Sequence, residues 1–457
     1  MQGLILSAYP HLDVAAYCLL RIDDPNLAKN WLANQIPLVT NASRNRRRDR
    51  CWNLNIAVAY SGLVKLGAAL GLTPAAFSGF SDAFLEGVDG HPYRSRILGD
   101  MGKSDPVYWR WGGKGAQVDL LVMVFAQTDA SLRARIATLF NGPTGTSDLT
   151  GTPLFARPLS NAQGHEHFGF ADGISQPILR GTLDAERFPD SVHMTELGEV
   201  VLGYPDSLNN IATIPTLATP HDNFGTNGSY LVFRQLFQDV EAFWKSVADT
   251  AAAATGTSPN PKSPQAIELA SKIVGRQPDG TPLVPYVNVD DNEFSFAGDP
   301  YGNGCPIGAH IRRANPRDSI SMDLSQRPRN RHRVLRRARS YGAPADAGRG
   351  LLFLCLNADF ERQFEFIHQN WINDPGFGGL AEELDPLVGA RNRRGGGVFT
   401  IQGLPAPTRI CGLPQFVFVR GGEYFFLPGI NALRYLAGLP PLSESEEPCP
   451  LPGDTNG

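Results

Sequence analysis

The sequence predicts an α+β fold, and three observations carry that expectation. Apolar runs of strand length recur along the chain, at Ala15–Ile22, Val118–Ala126, Ser229–Leu236 and Leu351–Leu356. Apolar residues at helical spacing follow each of them. A hairpin signal around Gly421-Gly422 closes the series, where a regular parallel repeat would place another crossover.

Ala15–Ile22 ends in an acidic turn and suits a buried strand. A helix follows, with Asp24 or Asn26 as its cap and Leu27, Trp31 and Leu32 on one face. Trp52–Leu66 carries small and apolar residues at helical spacing. After the strand Val118–Ala126, Thr128 or Asp129 caps a helix whose stripe is Leu132, Ile136, Leu139 and Phe140. Gly142–Leu217 is rich in Gly, Pro, Asn and Asp and reads mainly as loop; a loop that long in a compact domain favours function. A second unit begins near Asn223. It has the strand Ser229–Leu236, a helix marked by Val240, Phe243, Trp244 and Val247, and a helix end with an exposed loop over Ala251–Pro264. The strand Leu351–Leu356 precedes a helix marked by Phe360, Phe364, Ile367 and Trp371. Domains are expected over 1–215 and 216–441. The tail 442–457 is polar, acidic and rich in Pro and Gly, and is expected to be mobile.

The composition excludes several classes. Of 457 residues, 42% are hydrophobic and 19% charged, which leaves ample core. A net charge of −4 gives no general attraction to nucleic acid or anionic membranes. The basic runs Arg44–Arg50 and Arg327–Arg339 are local. The six cysteines follow neither a zinc spacing nor a dense disulfide framework. No apolar run reaches the ~18 residues of a membrane span. The N-terminus has no basic n-region, so a cytoplasmic chain is expected, with secretion left open if the N-terminus is processed. The oligomeric state, monomer or dimer, stays open.

The chemistry centres on H-E-H-F-G-F-A-D-G-I-S-Q-P, His165–Pro177. Gly169 and Gly173 bracket one carboxylate, Asp172, and glycine permits both φ > 0 and close approach to a ligand. An ordinary Asp-Gly turn is the alternative for that pair alone. His310 follows in C-P-I-G-A-H and Arg336 in L-R-R-A-R-S-Y-G. An acid, a histidine and an arginine are the minimum set for a haem peroxidase. On the residues alone, a core or capping role for His310 is as good a reading. His165 and His167 lack partners at metal-site spacing and read as loop or pocket-edge residues.

G-F-A-D-G at Gly169–Gly173 resembles the G-x-x-D-G signature of the dye-decolorizing peroxidases. Three further blocks resemble the same family in the right order: Asp222–Leu236, Cys305–Arg317 and Val419–Gly429. The resemblance runs from Gln2 to about Gly438, and the long insertions resemble the larger members. It implies two ferredoxin-like domains with antiparallel sheets flanked by helices, in a barrel-like α+β arrangement, with the second domain holding haem b. It implies His310 as the iron ligand, Asp172 as the distal acid–base and Arg336 as the distal cation, at the family's spacing to Tyr341-Gly342. Strand alternation turns Arg337 away from Arg336, and Arg339 is also expected to face away. Leu351 and Phe353 match positions that restrict the pocket to small molecules; Arg312 or Arg317 is placed against a propionate.

A ligating histidine usually donates its other N–H to an acid or carbonyl. Glu365, beside the Phe364/Ile367 stripe, is the candidate, with Asp359 and Asp374 as rivals. Hydrogen peroxide and organic electron donors, including bulky dyes and phenolics, are the implied partners. A pocket too tight for dyes requires electron transfer to surface Tyr or Trp; Tyr341 and Trp371 are candidates among 12 Tyr and six Trp. Two other classes compete. A haem-binding or deferrochelatase-like protein without peroxidase turnover has no need of Asp172 with Arg336. A haem-free ferredoxin-like interaction module would show no Soret band.

Overall fold

The computed structural model describes residues 1–42, 51–113, 115–158, 164–217, 223–284, 292–319, 330–343, 348–391 and 396–442. The run Arg44–Arg50, part of the run from Arg327, and all but residue 442 of the tail lie outside them. Among the described residues the main sheet has ten strands: β1 (Val14–Ile22), β2 (Trp52–Val58), β3 (Leu120–Ala126), β4 (Thr146–Asp148), β5 (Leu154–Ala156), β6 (Ser229–Gln238), β7 (Leu335–Arg336), β8 (Arg339–Tyr341), β9 (Gly350–Asn357) and β10 (Val417–Leu427). Every residue of β3 is buried, and in β1 only Arg21 is exposed. The continuous apolar runs are therefore strands covered on both faces.

The strand order is β8-β9-β6-β10-β2-β3-β1-β4, with β5 beside β1 and β7 beside β9, and every pairing in this sheet is antiparallel. The two halves of the chain join edge to edge through the pair Phe426–Val58. This corrects the barrel-like expectation. Among the described residues the strand path is open: β8 meets the residue after β5 at one isolated bridge, Ser340 with Arg157, and no ladder closes the sheet. A separate two-stranded pairing, Ile178–Leu179 with Met194–Thr195, is parallel. One buried cluster runs from Val14 and Leu32 to Val232 and Phe426, so the two halves share core.

Helices cover the sheet with the caps that their sequences offer. Asp24 accepts from the N–H groups of Asn26 and Leu27 at the start of α1 (Pro25–Gln35). Trp31 and Leu32 are buried there, while Leu27 stays on the solvent side. The stretch Trp52–Leu66 is not one helix. It divides at Ala59 into β2 and α2 (Tyr60–Ala68); because β2 is buried on both faces it shows no strand alternation. Thr128 caps α3 (Asp129–Leu139). Asp239 caps α4 (Val240–Thr255), and Ser263 caps α5 (Pro264–Val274) after the exposed loop.

Two expectations fail near the cavity. Gly421 and Gly422 form no hairpin turn; they lie inside β10, at a register irregularity between Val419 and Gly421. A Cβ on Gly421 would stand 2.4 Å from the Trp111 ring, so the glycine is needed for close packing. The Phe360–Trp371 stretch is wound as two π-helical segments, Phe360–Glu365 and Ile367–Ile372, with Asp359 as the cap. Wider turns of this kind are frequent at functional sites. Among the described residues no helix is long and apolar enough to cross a membrane.

Candidate active site

The sheet builds one wall of a cavity of about 320 Å³. Leu351 and Phe353 of β9 lie opposite Leu236 and Arg234 of β6, and all four line it. Alternation along the strands gives them a common face. Phe364, His368 and Trp371 of the π-helical stretch line it too.

The loop with Asp172 closes one side. Gly164, Gly169 and Gly173 have φ of 68°, 96° and 80°, a left-handed conformation that favours glycine. Hydrogen bonds from Glu166 N to Phe170 O and from Gly169 N to Glu166 O draw the preceding residues into a tight turn. Asp172 Oδ1 accepts from Arg336 Nη1 at 2.8 Å and from Gly173 N at 2.5 Å. Arg336 also donates from Nη2 to Ser175 O, and its backbone N–H to Gln176 Oε1. Burial pushes the Asp172 carboxyl up, but the Arg336 charge and the Gly173 N–H outweigh it and hold the group below its ordinary value.

Arg337 and Arg339 point elsewhere. Arg337 donates to the carbonyls of Leu4 and Ile5; Arg339 donates to those of Ala8, Tyr9 and Leu12. Of the three arginines, Arg336 alone lines the cavity.

His310 also lines the cavity, at the start of the short helix His310–Ala314. Its Nδ1 lies 2.8 Å from Asp385 Oδ2. Asp385 is fully buried, and its Oδ1 accepts from Leu387 N and Val388 N at 2.9 Å. Burial raises the Asp385 carboxyl, but His310 and these backbone donors bring it down to about 2. Glu365 is therefore not the acid behind His310. Its carboxylate pairs with Arg94 at 2.5 Å and accepts from the Tyr424 hydroxyl at 3.0 Å. Neither rival stands there: Asp359 caps the π-helical stretch, and Asp374 accepts from Gly376 N. The missed residue did carry a signal. Asp385 precedes Pro386, and an Asp before Pro that accepts from the next backbone N–H groups is a recognisable turn former.

Arg312 does not face the cavity. It is buried and donates to Asp299 and to the Cys305 carbonyl. Arg317 does line it, beside Arg276 and Arg333, which sequence reasoning missed. Among the described residues none of these three is in an ion pair. Burial, then the neighbouring guanidinium charges, push Arg317 down to about 9 and Arg333 to about 10. Arg276 falls to about 10, chiefly through burial. His193 fixes Arg333 by taking its Nη1 on Nδ1 at 3.1 Å, while its Nε2 meets Asn292 O. His167 lies against the Tyr341 carbonyl at 2.9 Å, and neither His165 nor His167 lines the cavity. Trp371 is buried at the cavity wall; Tyr341 is half-buried outside it.

Comparison with known proteins adds the family. A family model described as the C-terminal part of Dyp-type peroxidases matches residues 203–404. The chain is 30% identical over 374 residues to the multifunctional dye peroxidase DyP2 of Amycolatopsis sp., across 73% of this chain and 74% of that protein. It is 30% identical over 425 residues to the dye-decolorizing peroxidase msp1 of Mycetinis scorodonius, across 84% and 78%. Among solved structures it resembles an ancestral D-type dye decolorizing peroxidase, with TM-score 0.77 and 26% identity over 95% of this chain and 97% of that one.

Proposed function

Because the chain belongs to the DyP-type peroxidase family and is a haem peroxidase acting on hydrogen peroxide, we propose that His310 ligates haem b in the 320 Å³ cavity and that Asp172 and Arg336 activate peroxide there. The observation that carries the reading is the arrangement of two pairs on one cavity: His310 with Asp385, and Asp172 with Arg336.

The residues present fit the cofactor. The cavity walls are largely apolar, as a macrocycle needs. Buried Arg276 and half-buried Arg317 and Arg333 bring positive charge to the cavity, in no ion pair with a carboxylate among the described residues, which suits two propionates. Asp385 holds the Nδ1–H of His310, so Nε2 keeps its lone pair for iron, and the carboxylate raises its basicity. When bound, haem supplies a redox-active iron that takes up the oxidising equivalents of peroxide.

The remaining chemistry belongs to the chain. Both hydrogen bonds to Asp172 fall on Oδ1, so Oδ2 is the atom that takes a proton from peroxide and returns it to the departing oxygen. The Arg336 guanidinium stays charged and stabilises the negative charge that develops there. Leu351 and Phe353 line the cavity with apolar side chains and narrow the approach to small molecules. Organic donors, dyes among them as the relatives' names have it, are the reductants.

The test is peroxide-dependent dye oxidation by the purified holoprotein, in wild type and in Asp172→Asn. The asparagine keeps the shape and removes the base, so peroxide reactivity is expected to fall on the order of 10²–10⁴-fold, the usual worth of a positioned acid–base. The base works when ionised, and its ordinary value is already lowered, so the wild-type acid limb is expected below pH 3.8. A limb near neutrality, or equal rates in the two proteins, would remove Asp172 from the mechanism.

A further inference from the structure

The three arginines that line the cavity beside the distal pair are gathered around one neutral residue, Asn292. Its Oδ1 accepts from Arg276 Nη2 at 2.9 Å and from Arg317 Nη2 at 3.1 Å. Its backbone carbonyl accepts from Arg317 Nη1 at 2.9 Å and from His193 Nε2 at 2.8 Å, and the Nδ1 of that histidine takes Arg333. The Arg276 and Arg317 guanidiniums also lie over the same Phe294 ring, 5.4 and 3.8 Å from its centroid. Arg317 is held there at φ 52°, a left-handed conformation that costs any residue with a Cβ. The same asparagine reaches the loop of the distal acid, because its Nδ2 donates to Ile174 O at 3.2 Å. Arg276 serves the other flank of that loop. Its Nη1 donates to Gly280 O at 2.8 Å, in the turn whose Pro278 carbonyl accepts from Ala171 N at 2.9 Å. A Cβ on Gly280 would stand 2.5 Å from Ile174 Cδ1, so only glycine lets the turn lie this close. Ala171 and Ile174 stand on either side of Asp172.

We propose that Asn292 is a positioning residue that couples haem binding to the placement of Asp172: it holds Arg276 and Arg317 for the propionates and ties both arginines to the loop from which Asp172 meets peroxide. The proposal rests on the haem peroxidase reading above, because the propionates belong to the cofactor.

Charge makes the coupling. Two guanidiniums that share one neutral oxygen repel each other, and among the described residues neither has a carboxylate partner. The asparagine oxygen brings them together without cancelling their charge, so an anion from the cavity completes the arrangement. Once the arginines are engaged, their bonds to Asn292 and Gly280 pass that order to Ile174 O and, through the Pro278 turn, to Ala171 N. An aspartate at 292 would neutralise the arginines by itself and would have no N–H for Ile174. Asparagine is the residue that does both: it accepts from cations without discharging them and donates to the loop. The placement matters for rate, since a misplacement of about 1 Å in a catalytic group can cost on the order of 10²-fold.

Hydrogen exchange of the backbone amides of residues 165–177, in full-length protein loaded with haem b or with haem dimethyl ester, tests the coupling. The ester has the same macrocycle and iron but no free carboxylates. In the wild type, haem b is expected to slow exchange of this segment about tenfold more than the ester does, the worth of one hydrogen bond to a charged group. In Asn292→Ala that difference between cofactors should vanish. A residue that only braced the fold would speed exchange equally under both and leave the difference intact. Asn292→Asp gives both arginines a carboxylate and Ile174 no donor, so it should abolish the difference without the lost packing of the alanine. The wild-type comparison needs no variant and decides the matter where a variant fails to fold. A wild type that holds haem and consumes peroxide, yet protects the segment equally with both cofactors, overturns the coupling alone. So does a difference of wild-type size in either variant. A wild type with no Soret band or no peroxide consumption overturns the haem reading itself, and the coupling with it.

Discussion

His310→Ala is expected to yield protein with little or no haem, and Asp385→Asn protein that binds haem 10–100-fold more weakly. The two effects differ because the residues do different work. His310 carries the lone pair for iron; Asp385 fixes the ring and raises its basicity through the 2.8 Å bond to Nδ1. An outer partner of this kind typically changes affinity by about 10–100-fold. The alanine change also leaves the fully buried Asp385 carboxylate with only backbone donors. Removing one member of a buried pair costs roughly 3–5 kcal/mol, so lost haem would be confounded with lost fold. His310→Gln restores a donor to Asp385 and separates the two. Haem content at saturation, measured beside the melting temperature of the haem-free protein, checks the assignment. A His310→Gln protein that keeps the wild-type Soret spectrum and haem content would place the iron ligand elsewhere.

The parts of this site that were readable in sequence were those with a local signature. Asp172 announced itself because left-handed backbone on either side demands Gly169 and Gly173. Arg336 was separable from Arg337 by strand alternation, although β7 and β8 are short and broken by Arg337-Ala338. Asp385 carried only a local turn signal at Asp385-Pro386, which does not say that it reaches His310; that pairing, and the gathering of Arg276 and Arg333 beside Arg317 on one cavity, is the work of long-range packing. Asp385 is 75 residues from His310, and Arg276 lies at the end of a helix whose own pattern concerns its buried face. Glu365 was misplaced for a related reason. A helical stripe tells which residues share a face at 3.6 per turn, and the π-helical winding of Phe360–Ile372 changes that relation. In the fold, the β2 segment and Gly421-Gly422 misled in the same way: burial on both faces erased alternation, and a packing glycine looked like a turn glycine. Closure of a sheet depends on which edges meet, which no single stretch encodes.

Arg336→Leu is expected to slow peroxide reactivity by about 10²–10³-fold with haem retained, the typical worth of one preorganised charge donor. The side chain is held by Asp172 and Ser175, so its charge is in place before peroxide arrives and no reorganisation is needed. The same change at Arg337 or Arg339 removes donors from the carbonyls of Leu4 and Ile5, or of Ala8, Tyr9 and Leu12. It is expected to cost stability, about 1–3 kcal/mol for each carbonyl left without a donor, and not chemistry. Arg336→Leu also carries a signature in pH. In the wild type the Arg336 charge is the largest influence opposing burial at Asp172. Without it burial prevails, the folded carboxyl titrates higher, and the base is lost at a higher pH as the solution is acidified. The acid limb of the reaction should therefore move upward from below pH 3.8 in the variant. The stability linkage has the same sign. A depressed folded value stabilises the wild type above the unfolded value, a contribution lost as pH falls through the folded one, and the variant lacks it. Stopped-flow rates of the Soret change after peroxide, across pH and at equal haem loading in all three variants, decide the matter. A large loss confined to Arg337→Leu or Arg339→Leu, or an acid limb that stays in place in Arg336→Leu, would show that the guanidinium acting on peroxide is not Arg336.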